Sequence, residues 1–122
     1  MIKRFDRLEV ATTDLAAATA AYEHNFGFSV ARSADGAAAS IAIGDAEIRV
    51  RSGSSVADLI AASGEGLATL WLEADDVEQM AATLHRAGVR CGPLYQEDGR
   101  RVLAVEPASA NMVSLFIFDR KC

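Results

Sequence analysis

The sequence predicts an α+β fold made from two copies of a strand–helix–strand–strand–strand unit. Three observations predict it. The first is the stretch Gly66–Val89, which reads as a strand running into a helix. Leu70, Leu72 and Ala74 alternate with Thr69, Trp71 and Glu73, and this period of two marks a strand. Asp75 or Asp76 then caps a helix whose apolar stripe is Val77, Met80, Ala81 and Leu84, and Gly88 ends it. The second observation is that the same unit occurs earlier. Arg7–Thr12 alternates, Asp14 stands at the cap, and Leu15, Ala18 and Tyr22 form a weaker stripe with Thr19 at its i+4 place, closed by Gly27. The aspartates Asp14 and Asp76 are 62 residues apart (76 − 14), and so are Leu15 and Val77, which points to a structural repeat. The third is that each unit is followed by short strand-like stretches divided by turn residues.

A chain of 122 residues with 51% hydrophobic and 24% charged residues is sized for one globular domain with its own core. A net charge of −5 argues against nucleic acid and anionic membrane surfaces as partners. No apolar run has the length of a spanning helix, and the amino terminus enters a strand at once. The two cysteines, Cys91 and Cys122, make no disulfide framework, so free thiols and a cytoplasmic location are expected.

In chain order the expected elements begin with a strand over about 5–12 and a helix over about 15–25. A strand over 28–33 leads through the hairpin turn Asp35-Gly36 to a strand over 38–43. Gly44-Asp45 turns into a strand over 46–51. Ser52–Ser55 reads as a flexible break between modules, and a short helix follows over about 56–62. The second unit supplies a strand over 67–74, the long helix and a strand over about 89–93. A turn over 95–99, a strand over 101–105, a turn over 107–111 and a last strand over 112–118 complete it. The expected organisation is one domain, with module one over about 1–52, linker and short helix over 53–65, and module two over 66–122.

The segments "LEVATTDLAAATAAYEHNFGF", "GLATLWLEADDVEQMAATLHRAGV" and "GRRVLAVEPASANMVSLFIF", in this order and spacing, resemble the vicinal oxygen chelate superfamily, the glyoxalase, bleomycin-resistance and extradiol-dioxygenase group. The run from Gly44 through the short helix to Leu67 also resembles the amino-terminal domain of 4-hydroxyphenylpyruvate dioxygenases. The resemblance spans nearly the whole chain. It implies paired βαβββ modules that curl into an open, cup-shaped mixed sheet with helices on its outer face, and ligands held in the cup, usually over a divalent metal. A homodimer is expected, because open half-barrels need partners for their edges, with the first module of one chain beside the second of the other or the two modules of one chain side by side.

In metal-dependent members of that superfamily the first and last strands of each module give one ligand each, and these positions fall here on Arg7, Arg49, Thr69 and Ser114, the last following Asn111. Arginine has no lone pair to donate, so this set does not make a divalent-cation site. The two histidines, His24 and His85, fall on helices and read as surface residues. Glu9, Glu47 and Glu73 share parity with these positions and are the carboxylates able to approach an ion. No metal and no cofactor are expected.

Parity sorts the remaining side chains. Leu8, Val10, Ile48, Val50, Leu70, Leu72, Val113, Leu115 and Ile117 are uniformly aliphatic and read as core under the helices. The opposite face collects Arg7, Glu9, Glu47, Arg49, Arg51, Thr69, Trp71, Glu73, Ser114, Phe116 and Phe118. It reads either as a wet sheet face with ion pairs such as Glu9 with Arg49, or as a pocket with an aromatic wall and charged groups that orient a ligand. Trp71 and the phenylalanines favour the pocket. The expected ligand-binding residues are therefore Arg7, Glu9, Glu47, Arg49, Thr69, Trp71, Glu73, Ser114 and Phe116, around a polar aromatic ligand.

Nucleotide-binding glycine loops and a nucleophile elbow are absent, and Cys91 has no activating partner in sequence. Two functions remain. One is metal-independent binding of a small organic molecule, as in bleomycin-resistance-type proteins. The alternative is a glyoxalase- or dioxygenase-like lyase, isomerase or oxygenase using a divalent metal or a carboxylate acid/base. An inert scaffold is the third possibility.

Overall fold

The computed structural model describes residues 1–110 and 113–121. Its elements run β1 (Ile2–Ala11), α1 (Leu15–Phe26), β2 (Ala31–Arg32), β3 (Ala38–Ile43), β4 (Ala46–Arg51), α2 (Ser54–Ser63), β5 (Gly66–Ala74), α3 (Val77–Arg86), β6 (Tyr95–Glu97), β7 (Arg100–Val105) and β8 (Ser114–Asp119), with a 3-10 turn at Pro107–Ala110 before β8. This is an α+β chain with an open mixed sheet that does not close into a barrel. The strand–helix–strand–strand–strand order occurs twice, as expected, with α2 between the copies. The chain divides into two compact units: residues 7–68, and residues 1–6 with 69–122.

In the unit of residues 7–68 the strands lie in the order β2-β3-β4-β1. β3 and β4 form an antiparallel hairpin over Gly44-Asp45, and β4 runs parallel to β1 with Glu9 beside Arg49. Helix α1 starts where the Asp14 carboxylate accepts the Ala17 N–H at 3.0 Å, and ends at Gly27, whose φ of 67° lies in the left-handed region. It packs on β3 and β4. Thr19, the weak place in the sequence stripe, is its fully buried residue. The Thr19 hydroxyl donates to Ala16 O and accepts from Arg32, so burial leaves no polar atom orphaned.

In the other unit the order is β1-β5-β8-β7-β6, where β1 contributes its first residues. β5 and β8 are parallel; β7 pairs antiparallel with both β8 and β6. Helix α3 is capped by Asp76, which accepts from the N–H groups of Glu78 and Gln79. Its stripe packs on β7 and β8 in a core of Ala74, Val77, Leu103, Val105 and Ile117, with Met80, Ala81 and Leu84 against it. Asp119 fixes that packing. Its carboxylate is buried and accepts the Val77 N–H at 2.7 Å, two bonds from the Arg101 guanidinium, and the Lys121 N–H at 3.1 Å.

Several boundaries differ from the sequence reading. In the stretch Ser52–Ser55, read as a break, Ser52 N donates to Ala37 O at 2.9 Å and α2 already begins at Ser54, after Gly53 at φ 88°. The expected strand over 28–33 shrinks to two residues. The strand over 89–93 reduces to a single bridge, Cys91 to Val105, because Gly92-Pro93 interrupts it and proline has no N–H to donate. The expected turn over 95–99 is only Asp98-Gly99, both at positive φ, and Tyr95–Glu97 forms β6. That strand is polar and exposed on an edge, so it carries no alternation to read. Asn111, Met112 and Cys122, which carry part of the expected turn and last strand and one expected thiol, lie outside the described residues.

Burial pushes the Asp119 carboxyl upward, but its bonds to Arg101, Val77 N and Lys121 N outweigh burial and hold it below the ordinary carboxylate range. A depressed native pKa means stability that is present above the unfolded value of about 4 and lost as pH falls through the native value. Asp119→Asn is therefore expected to lower stability by about 3–5 kcal/mol at pH 7. It should also flatten the loss of stability below pH ~4. Urea denaturation of both proteins at pH 7 and pH 3 checks this; a pH dependence unchanged by the substitution would count against the clamp.

Candidate functional site

In the unit containing β5, parallel pairing with β8 sets Thr69 beside Ser114, Trp71 beside Phe116 and Glu73 beside Phe118. Side chains of one parity share a face. Across β7, Ala104 lies opposite Phe116 and Val102 opposite Phe118, so Arg100 joins the same side two residues before Val102. The indole of Trp71 stacks on Phe116 with centroids 4.5 Å apart and planes 11° from parallel, and Phe118 tilts against it at 6.2 Å. Offset stacking of this kind adds about 0.5–1.5 kcal/mol to the area the rings bury. Trp71 Nε1 donates to the Thr69 hydroxyl at 3.1 Å. The guanidinium carbon of Arg100 lies 5.7 Å from the Trp71 ring and 5.0 Å from the Phe118 ring, while Arg120 lies 5.5 Å from Phe118.

Glu73 ends this face. Its side chain is 6% exposed, and a carboxylate so placed needs partners. Arg4 Nε donates to it at 2.8 Å, Arg120 Nε lies 3.6 Å away and Lys3 Nζ 3.9 Å. Arg4 also holds Asp6 at 2.9 Å.

The unit of residues 7–68 carries a charged face of its own. Pairing of β1 with β4 sets Arg7 beside Glu47, Glu9 beside Arg49 and Ala11 beside Arg51. Glu9 is buried and meets Arg7 Nε at 3.0 Å, Arg51 at 3.3 Å and Arg49 at 3.8 Å. The cross-strand pair Glu9–Arg49 expected from the sequence is thus formed. Glu47, half-buried, accepts from Arg49 at 2.8 Å and from the Ser40 hydroxyl.

Two features depart from the sequence reading. The residues expected to line a pocket are more deeply buried than those read as core: Arg7, Glu9, Thr69, Trp71, Glu73 and Phe118 are all buried, and Trp71 is only 5% exposed. Trp71, Val102 and Phe118 form a second small core with Phe116 packed on it. On the opposite face Val50 and Ile117 are buried, but Leu8, Val10, Ile48, Leu70, Leu72, Val113 and Leu115 are half-buried. The physical reason is where the helices lie: α1 covers β3 and β4, and α3 covers β7 and β8, so the outer sides of β1 and β5 receive less cover. The sequence reading also missed Arg4, Ser40, Arg100 and Arg120. Extending the strand parity of 101–105 back by one residue would have put Arg100 on the aromatic face.

The donor set does not fit a divalent metal. Of the four superfamily ligand positions, Arg7 and Arg49 carry guanidinium groups spent on Glu9 and Glu47, and the Thr69 hydroxyl accepts from Trp71. The carboxylates of Glu9, Glu47 and Glu73 are each engaged by guanidinium groups. Among the described residues no group of three or more His, Cys, Asp or Glu side chains converges to hold an ion. His24 and His85 lie exposed in the last turns of α1 and α3. Cys91 is half-buried, and burial pushes its thiol up, away from a reactive thiolate. No helix among the described residues is long and apolar enough to cross a membrane.

Because Trp71 is enclosed, Trp71→Ala is expected to lower stability by about 3–5 kcal/mol, the usual cost of emptying a core aromatic site. Chemical denaturation measures it; a change below about 1 kcal/mol would mean that the indole is not packed as described.

Comparison with known proteins places these features. No curated protein matches the sequence closely enough to count as a relative. Solved structures do match. A hypothetical protein of Bacillus halodurans superposes with a TM-score of 0.78 at 18% identity, over 98% of this chain and 95% of that one. The methylmalonyl-CoA epimerase of Mycobacterium tuberculosis gives 0.75 at 20% identity, over 99% and 90%. A Streptomyces coelicolor methylmalonyl-CoA epimerase variant, solved with 2-nitronate-propionyl-CoA, gives 0.74 at 20% identity, over 98% and 95%. At such identities the likeness is one of fold. The sequence itself matches a family model over residues 4–103, most of its length. The chain belongs to the Glyoxalase/Bleomycin resistance protein/Dioxygenase superfamily.

Proposed function

We propose that this chain is an isomerase- or lyase-type enzyme that moves a proton on a small organic acid derivative, using a carboxylate rather than a metal. The observation that carries the reading is Glu47. It is the least enclosed of the three sequence-predicted acid/base carboxylates, and Ser40 and Arg49 hold it in one orientation. A base must reach the proton it takes, and Glu9 and Glu73 are more deeply covered. Arg7, Arg49 and Arg51 put guanidinium charge on the same face, where charge developing on a carbonyl oxygen would be stabilised. The step is a simple one. Glu47 takes a proton from carbon next to a carbonyl, the electron pair moves to the carbonyl oxygen, and reprotonation of carbon completes the exchange.

The groups proposed to meet ligand are Arg7, Glu9, Glu47 and Arg49 on one unit's face, and Thr69, Trp71, Glu73, Ser114 and Phe116 on the other's. Trp71 contributes from beneath, by carrying Phe116. That methylmalonyl-CoA epimerases adopt this fold supports an enzyme over a drug-binding protein, and it suggests the first substrate to try. A homodimer belongs to this reading. Binding without chemistry is the second reading, and it is favoured by the ion pairs that occupy Glu9 and Glu73.

The test is deuterium uptake at C2 of methylmalonyl-CoA in heavy water, followed by NMR with a chelator present. The expected result is exchange faster than in a protein-free blank, untouched by chelator, and about 100-fold or more slower in Glu47→Gln. Exchange no faster than the blank, for this and for simpler acyl thioesters, would remove the enzyme reading.

A further inference from the structure

Arg100 and Arg101 are adjacent in sequence and opposite in situation. Arg101 turns to the α3 side, where Asp119 binds it through two oxygens and Glu78 and Asp76 lie at 3.3 and 3.5 Å. Arg100 turns to the aromatic face. Among the described residues no oxygen accepts a hydrogen bond from its guanidinium and no carboxylate lies within ion-pairing distance of it. Glu97 stands directly across the strand pair, on exposed β6, and does not close on it. The cation instead lies over the Trp71 and Phe118 rings, its guanidinium carbon 5.7 and 5.0 Å from their centroids.

That arrangement leaves a half-buried guanidinium packed against aromatic rings, with no hydrogen-bond partner for its N–H groups among the described residues. Contact of the cation with the ring faces uses none of its five donors. Rotamer freedom, the main cost of recruiting an arginine to a ligand, is already restricted. The neighbourhood is positive as well: Lys3, Arg4 and Arg120 flank Glu73 and Asp6 at the same end of the face, in a chain whose net charge is −5.

We propose that Arg100 is the carboxylate-recognition residue of the ligand-binding face: it takes a ligand carboxylate in a two-pronged hydrogen-bonded pair while the ligand's apolar body meets Phe116. Planar fork-to-carboxylate geometry is what an arginine provides and a lysine does not. The proposal rests on the reading that the aromatic face meets ligand, and it adds the class of ligand: a small carboxylic acid with a planar or acyl body. It also gives the guanidinium a role that its neighbour, saturated by Asp119, cannot have.

The chain's one tryptophan is Trp71, so its emission reports on this face alone. Benzoate is the probe, benzamide its neutral counterpart, and ionic strength is held constant. Benzoate is expected to change Trp71 emission saturably, and benzamide to fail. Arg100→Gln should weaken benzoate at least tenfold, Arg100→Lys should weaken it less, and Arg90→Gln, an exposed cation elsewhere, should not matter. Near-ultraviolet circular dichroism of each variant confirms a native fold. Equal benzoate affinity in Arg100→Gln and the parent, or equal binding of benzamide, overturns the proposal. If benzoate then still depends on Phe116, shown by its loss in Phe116→Ala, the aromatic face survives as a site and only the role of Arg100 falls. If neither probe binds, both fall.

Discussion

Everything at the candidate site depends on the register of two parallel strand pairs. Pairing β5 with β8 so that Trp71 meets Phe116 gathers the aromatic rings on one side; pairing β1 with β4 so that Glu9 meets Arg49 gathers the charges in the other unit. Because side chains alternate with period two, a slip of one residue would exchange these groups for Leu70, Leu72, Leu8 and Val10. The register is held by what lies on the far side. In the β5–β8 unit Asp119 locks the end of β8 to the first N–H of α3 and to Arg101 on β7, so the last strand, the helix and the hairpin cannot slide independently.

The faces built this way differ from an ordinary core in holding charge. Buried carboxylates survive there because each is matched: Glu9 by Arg7, Arg49 and Arg51, and Glu73 by Arg4, Lys3 and Arg120. Such matched pairs break even at best against apolar packing, whereas removing one partner is costly. Within each face the enclosure is uneven: Glu47 keeps more solvent access than Glu9 in one unit, and Arg100 more than Trp71 in the other. The same accounting explains why a metal does not suit this donor set: two of the four positions that would bind one carry arginine, and the carboxylates beside them are engaged by guanidinium groups.

Much of the fold is legible in the sequence because it rests on local signals. Asp14 and Asp76 cap helices, Gly27 ends one, Asp98-Gly99 turns a hairpin, and alternation in β5 marks a strand. What the sequence does not carry is non-local cover. Nothing in Thr69-Leu-Trp-Leu-Glu says that Val102, Phe118 and Arg100 will close over the indole, or that the helices will sit over β3, β4, β7 and β8 and leave Leu70 and Leu72 half-covered. The grouping of Thr69, Trp71, Ser114 and Phe116 follows from parity, and β5–β8 pairing provides it. Arg100 escaped notice because a charged residue at a strand's first position looks the same whether it faces water or a ring.

The central claim is that Trp71 sits enclosed, stacked with Phe116 and with the Arg100 guanidinium lying over its ring. Acrylamide quenching of tryptophan emission tests it most directly, since Trp71 is the only source of that signal. The account predicts blue-shifted emission and a quenching constant far below that of a free tryptophan amide, rising to the free value only on denaturation. Emission and quenching in the native protein equal to those of the free amide would contradict it.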